Sequence, residues 1–224
     1  MKRIFIPATF ILILILAAPA ASQARVPRGK RPRVLIIGDS ISMGYTPYVQ
    51  RIFRGTAVVR HHRGNAGPTA RGLEDIEKWL GRKKWAAIHF NWGLWDMYGW
   101  KHEGHDQTPE TYERNLDTLV ARLKQTGAVL IWATTTPACP EAEEESGLII
   151  GPKGEAEYLD AAARVMKKHG VQINDLHALI KPVQPKYARG ENDVHYTKDG
   201  YKLMAGQVAD SIRKALNLSG PSTE

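Results

Sequence analysis

The sequence predicts an α/β domain with a parallel sheet covered by helices, and three observations predict it. Short apolar runs recur at residues 34–37, 57–60, 85–90, 128–134 and 171–174, which is how buried strands of a parallel sheet read. Segments with helical spacing or helix-start signals lie between them, and strands alternating with helices argue for a parallel arrangement. The 224 residues fit one well-buried core.

The elements follow in order. Residues 34–37 end at Gly38 and form the first strand. Residues 57–60 form the second, and Leu73, Ile76, Trp79 and Leu80 then recur at helical spacing. After a third strand at 85–90, Thr108-Pro109-Glu110 reads as a helix start: a hydroxyl cap, proline at the first helical position and an acid in the first turn. Leu116, Leu119, Val120 and Leu123 make its apolar face, and Gly127 stops it. The fourth strand, 128–134, opens into a long polar connection, 135–154. A helix over 155–169 ends at Gly170, the fifth strand is 171–174, and a last helix begins near Thr197 with Leu203, Val208 and Ile212 inward.

The N-terminus is organised differently. Met1-Lys2-Arg3 is a short positive start, an apolar run follows to Ala18, and small residues precede a cleavage site after Ala24. That is the layout of a secretory signal peptide, and the run is short for a membrane span. The expected organisation is a signal at 1–24, a basic lead-in at 25–32, a single folded domain at 33–218 and a tail at 219–224. Export to the periplasm or beyond follows, with no stable membrane anchor.

The single Cys139 excludes an internal disulfide and reads as a partly buried loop residue. The net charge of +8 comes with no nucleic-acid module, so nucleic acid is not an expected partner. His61, His62, His89, His102 and His105 lack tight spacing with a carboxylate and are expected in solvated loops, so no metal and no cofactor is called for.

Chemistry concentrates at two places. Gly38-Asp39-Ser40 follows the first strand, where ligands of parallel sheets bind; the same tripeptide also reads as a plain helix cap. Asp193-Val194-His195 precedes the last helix. A serine and a histidine brought together in space make a nucleophile with its general base. Trp92, Trp95, Tyr98 and Trp100 cluster after the third strand, as core or as a wall for a sugar ring or acyl chain.

Four blocks in order resemble the SGNH/GDSL hydrolase family: Gly38-Asp39-Ser40, Asn65-Ala66-Gly67-Pro68-Thr69, the stretch 91–96 (Asn-Trp-Gly-Leu-Trp-Asp), and Asp193-Val194-His195. The resemblance implies a flavodoxin-like three-layer α/β/α sandwich with about five parallel strands, and ester hydrolysis through an acyl-enzyme. It implies Ser40 as nucleophile and oxyanion donor, Gly67 as a second donor and His195 as base. Two positions depart from the family pattern. Trp95 stands where the family carries an oxyanion asparagine, with Asn91 as a substitute donor. The acid is expected three residues before the histidine, where Asn192 stands; Asp193 is two before, and is taken as the third member because a carboxylate stabilises an imidazolium better than an amide, with Asn192 or a backbone carbonyl orienting the ring of a Ser40–His195 dyad as the alternative. The expected substrate is a small-molecule or polysaccharide ester, with short acyl or acetyl groups. An acyltransferase and a catalytically weakened binding domain on the same scaffold are the alternatives, and the oligomeric state is open.

Overall fold

A computed structural model describes residues 31–100, 107–139, 152–190 and 193–218. The signal, the lead-in up to residue 30, the acidic stretch of the long connection, Asn192 and the tail lie outside the described residues.

Five strands form one fully parallel sheet in the order β2-β1-β3-β4-β5. They are β1 (Arg33–Ile37), β2 (Val58–His61), β3 (Ala87–Phe90), β4 (Val129–Ala133) and β5 (Gln172–Asn174). β1, β3 and β4 are nearly uninterrupted in burial, as strands covered on both faces must be. The major helices are α1 (Ser40–Ile52), α2 (Thr69–Leu80), α4 (Pro109–Lys124), α5 (Pro152–His169) and α8 (Lys198–Leu216). Shorter turns are α3 (Leu94–Met97), α6 (Leu176–Ile180) and α7 (Gln184–Tyr187). α1 packs on α8, while α2 packs on α4 and α4 on α5. The expected three-layer architecture is therefore present.

Local signals set the helix limits. Thr108 Oγ1 accepts the Thr111 N–H at 3.3 Å, and Thr197 Oγ1 accepts that of Gly200 at 3.3 Å, so both hydroxyl caps act as expected. Leu116, Leu119, Val120 and Leu123 are all buried. β3, β4 and β5 are shorter than their apolar runs, β1 begins one residue earlier at Arg33, and β2 is shifted by one residue to include His61. α5 begins at Pro152, which shortens the long connection.

Several expectations need correction. Leu73 is 38% exposed. Gly72 lies against Leu119 and Trp92, which centres the buried face of α2 on Thr69, Gly72, Ile76 and Trp79 and leaves Leu73 at its rim. Cys139 is buried, and its N–H donates to the Tyr98 hydroxyl at 2.7 Å. His62 and His89 are buried rather than solvated: His89 lies within β3, and His62 follows β2 directly. Helices of four or five residues gave no periodicity to read.

Candidate active site

The carboxyl ends of the strands gather the residues that carry chemistry. The chain leaves β1 through Gly38 and enters α1 at once. Asp39 is the N-cap: its Oδ1 accepts the Ile41 N–H at 2.9 Å. Ser40 is the first helical residue, and its own N–H has no acceptor among the described residues, as first-turn donors of a helix do not. A Cβ on Gly38 would sit 2.9 Å from Ser42 Oγ, so the tight turn that presents Ser40 requires glycine.

His195 arrives from the other end of the chain. Its Nε2 lies 2.9 Å from Ser40 Oγ, and its Nδ1 lies 2.6 Å from Asp193 Oδ1. An ionised carboxylate only accepts, so Nδ1 carries the proton and Nε2 is free to accept from the serine hydroxyl. Asp193 Oδ1 also accepts the main-chain N–H of His195 at 2.9 Å. This two-residue turn explains how an acid two positions before the histidine still meets the ring. Burial disfavours the Asp193 charge, but the two bonds from His195 and the nearby Arg189 outweigh it and hold its pKa below the ordinary value. Arg189 Nε is 3.3 Å from Asp193 Oδ2. The segment is pinned by Arg189 N–H to His195 O at 3.0 Å and Thr197 N–H to Tyr187 O at 2.7 Å.

A second serine–histidine pair stands beside the first. Ser42 Oγ is 2.7 Å from His61 Nε2 and equally 2.7 Å from the Asp39 carbonyl, so its one proton is shared between two acceptors, and His61 Nδ1 is 2.7 Å from the carbonyl of His62. Burial lowers the His61 pKa to about 4. Ser42 is 2% exposed, whereas Ser40 is only half-buried. His62 reaches back to the turn, with Nε2 2.9 Å from Gly38 O, and its ring stacks on His61 and lies tilted against Trp79. Sequence reasoning missed this bracing. The usable signal was that β2 runs directly into both histidines.

The other expected oxyanion donors are placed as follows. Gly67, at φ 60°, gives its N–H to Asn65 Oδ1 at 2.8 Å. Asn91 Nδ2 donates to Ala133 O at 2.9 Å and also lies 3.2 Å from Thr135 Oγ1, which ties the end of β3 to β4. Trp95 is half-buried, its ring edge-on to Trp100 with centroids 5.5 Å apart. Among the donors named from sequence, the Ser40 N–H is thus the open one. Asp96 is buried and takes the Thr69 N–H at 3.0 Å and the Thr69 hydroxyl at 2.6 Å. Burial raises its pKa to about 7 against the effect of those bonds. It joins the third block to the start of α2, a bracing role. No cluster of His, Cys, Asp or Glu fit to hold a metal occurs among the described residues.

The family model of the GDSL-like lipase/acylhydrolase family matches residues 36–203, which include Ser40, Asp193 and His195. The chain belongs to this family. It is an SGNH-type serine esterase of the α/β class. The fold recurs in solved structures. The lipase/acylhydrolase from Enterococcus faecalis shares 19% identity over 82% of this chain and 96% of its own, with a TM-score of 0.68. The psychrotrophic esterase EstA from Pseudoalteromonas sp., in a structure inhibited by monoethylphosphonate, shares 15% over 83% and 98%, at 0.66. The acetyl xylan esterase AlAXEase shares 14% over 80% and 99%, at 0.63. No match was found among curated proteins.

Proposed function

We propose that this esterase is exported and removes short acyl groups, acetyl above all, from carbohydrate, by way of an acyl-enzyme on Ser40. One observation carries the reading: the continuous hydrogen-bonded chain from Ser40 Oγ through the His195 ring to the Asp193 carboxylate. In the first half-reaction Ser40 Oγ attacks the ester carbonyl carbon as its proton passes to His195 Nε2. Asp193 steadies the imidazolium that forms. The carbonyl oxygen, now an anion, faces the open N–H of Ser40, and Gly67 adds a second N–H once the Asn65 carboxamide turns away. Oxyanion donors of this kind act on charge that develops in the transition state. Collapse expels the alcohol, which takes the proton from Nε2. In the second half-reaction His195 Nε2 takes a proton from a water, which attacks the acyl carbon; collapse breaks the bond to Ser40 Oγ, which takes the proton back from Nε2 as the acid leaves.

The acetyl and carbohydrate assignment draws on the fold shared with an acetyl xylan esterase and on the half-buried Trp95 and Trp100, whose rings suit a sugar face. The export assignment draws on the leader at 1–24. Incubation with acetylated xylan tests the reading. The native protein should release acetate, and peptide mass analysis of acid-quenched samples should find an acetyl group on Ser40. No hydrolysis of any acetyl ester would refute it. Protein recovered outside the cytoplasm should begin at Arg25.

A further inference from the structure

A parallel sheet with all its helices running back delivers every strand start and every major helix end to one pole, opposite the catalytic edge. Contacts confirm the convergence. Val58 N–H bonds to Pro32 O at 2.8 Å, Ala86 N–H to Arg33 O at 2.8 Å and Val129 N–H to Ala86 O at 3.0 Å. Lys124 Nζ reaches His169 O at 3.1 Å, and the Arg213 guanidinium lies over the Phe53 ring at 5.5 Å.

This pole is strongly basic. Cations in the last turns of α1, α2, α4, α5 and α8 have an internal explanation, since they answer the negative end of each helix dipole. The loop cations do not. Arg31, Arg54, Arg82, Lys83 and Lys84 are exposed and enter no ion pair among the described residues. On the helices that end at this pole, Glu77 is paired with Arg122, Asp117 with Lys168 and His169, and Asp210 with Arg213. The catalytic edge is mixed, with Asp39, Asp96, Asp175, Asp193 and Asp199 beside Arg63, Arg71, Lys186, Arg189, Lys198 and Lys202.

We infer that the strand-start pole is a docking surface for anionic phospholipid headgroups. Two features select a lipid surface. The cations come from separate connections spread over the end of the sandwich, the layout of a face and not of a groove for one polymer strand. The first strand also starts at this pole, and in sequence it follows the basic stretch 25–30 and the apolar leader; on the export reading proposed above, a leader held at a membrane brings this pole to it. Docked this way, the catalytic edge faces away from the bilayer. The inference holds whatever ester the site cleaves.

The test is vesicle co-sedimentation, with protein in the processed form its producing cells yield. Native protein should pellet with vesicles of mixed phosphatidylcholine and phosphatidylglycerol but not with phosphatidylcholine alone, and salt should release it. The R54E/R82E/K83E/K84E variant should lose at least about a hundredfold in partitioning while hydrolysis of a 4-nitrophenyl ester stays within about twofold, these positions lying outside the site. K83E/K84E should fall between the two. Equal pelleting of native protein and the fourfold variant would overturn the inference, as would equal binding to both vesicle types. So would native protein that ignores the vesicles and binds polygalacturonate instead, which would make the partner an acidic polysaccharide.

Discussion

Two serine–histidine pairs sit two residues apart on the first turn of α1, and their hydrogen bonds are nearly alike. Ser40 meets His195 at 2.9 Å and Ser42 meets His61 at 2.7 Å. In each, an oxygen fixes the proton on Nδ1. The pairs differ in which oxygen that is and in what can reach the serine. Behind His195 stands a carboxylate, able to stabilise an imidazolium; behind His61 stands the neutral carbonyl of His62. Ser40 is open to a substrate, and Ser42 is sealed in the core. A short Ser–His contact is therefore no mark of a nucleophile by itself. On the proposed mechanism, charge behind the ring and access to the hydroxyl are what separate chemistry from bracing.

The largest expected effect breaks the comparison at the serines. Ser40→Ala should lower kcat/KM for a 4-nitrophenyl ester by at least about 10⁴-fold with an unchanged melting temperature. Ser42→Ala should leave activity within about tenfold but lower stability by about 1 kcal/mol, because His61 Nε2 loses its buried partner. Denaturant titration of both variants beside the kinetics reads the two effects separately.

Next comes the charge behind the ring. Asp193→Asn should slow the reaction by about 10³- to 10⁴-fold, since the amide neither fixes the tautomer nor offsets the imidazolium. A loss below tenfold would mean that His195 works as a dyad with Ser40, much as His61 sits against a mere carbonyl.

The burial of the second pair predicts a pH effect. The unfolded chain protonates His61 near its ordinary value of 6.5, the folded chain only near 4. Above pH 6.5 neither state holds the proton. Between 6.5 and 4 the unfolded state takes up a proton that the folded state refuses, so stability falls as pH falls. His61→Gln removes this contribution and should lose less stability than the native protein across that window, by up to about 3 kcal/mol. Parallel curves for the two proteins would contradict the assignment. The smallest effect should come from Arg189→Gln. The Arg189–Asp193 pair is largely exposed, so kcat/KM should fall no more than about fivefold.

The sequence made one half of this comparison legible and hid the other. Apolar runs located all five strands because a buried parallel strand has nothing else to be, and Thr108 and Thr197 marked their helices by capping chemistry. The convergence of Ser40 and His195 was legible because the spaced blocks gave each an expected place, whereas Asp193 fell outside the block's usual acid position and was named because a carboxylate suits an imidazolium better than the Asn192 amide. His61 and His62 were misread as solvated, since a polar residue at a strand end says nothing about what folds over it. Gly67 and Asn91 were expected as free donors. That Asn65 and Ala133 engage them depends on side-chain directions that no one-dimensional pattern encodes. Trp95 has the same ambiguity, and only its contact with Trp100 shows where its ring lies.

The central claim, that Ser40 and not its neighbour is the activated hydroxyl, is tested most directly by labelling with a fluorophosphonate and mapping the adduct by peptide mass analysis. The account predicts one phosphonylated residue, Ser40, and no labelling of the Ser40→Ala variant. An adduct on Ser42, or native protein labelled no more than Ser40→Ala, would contradict it.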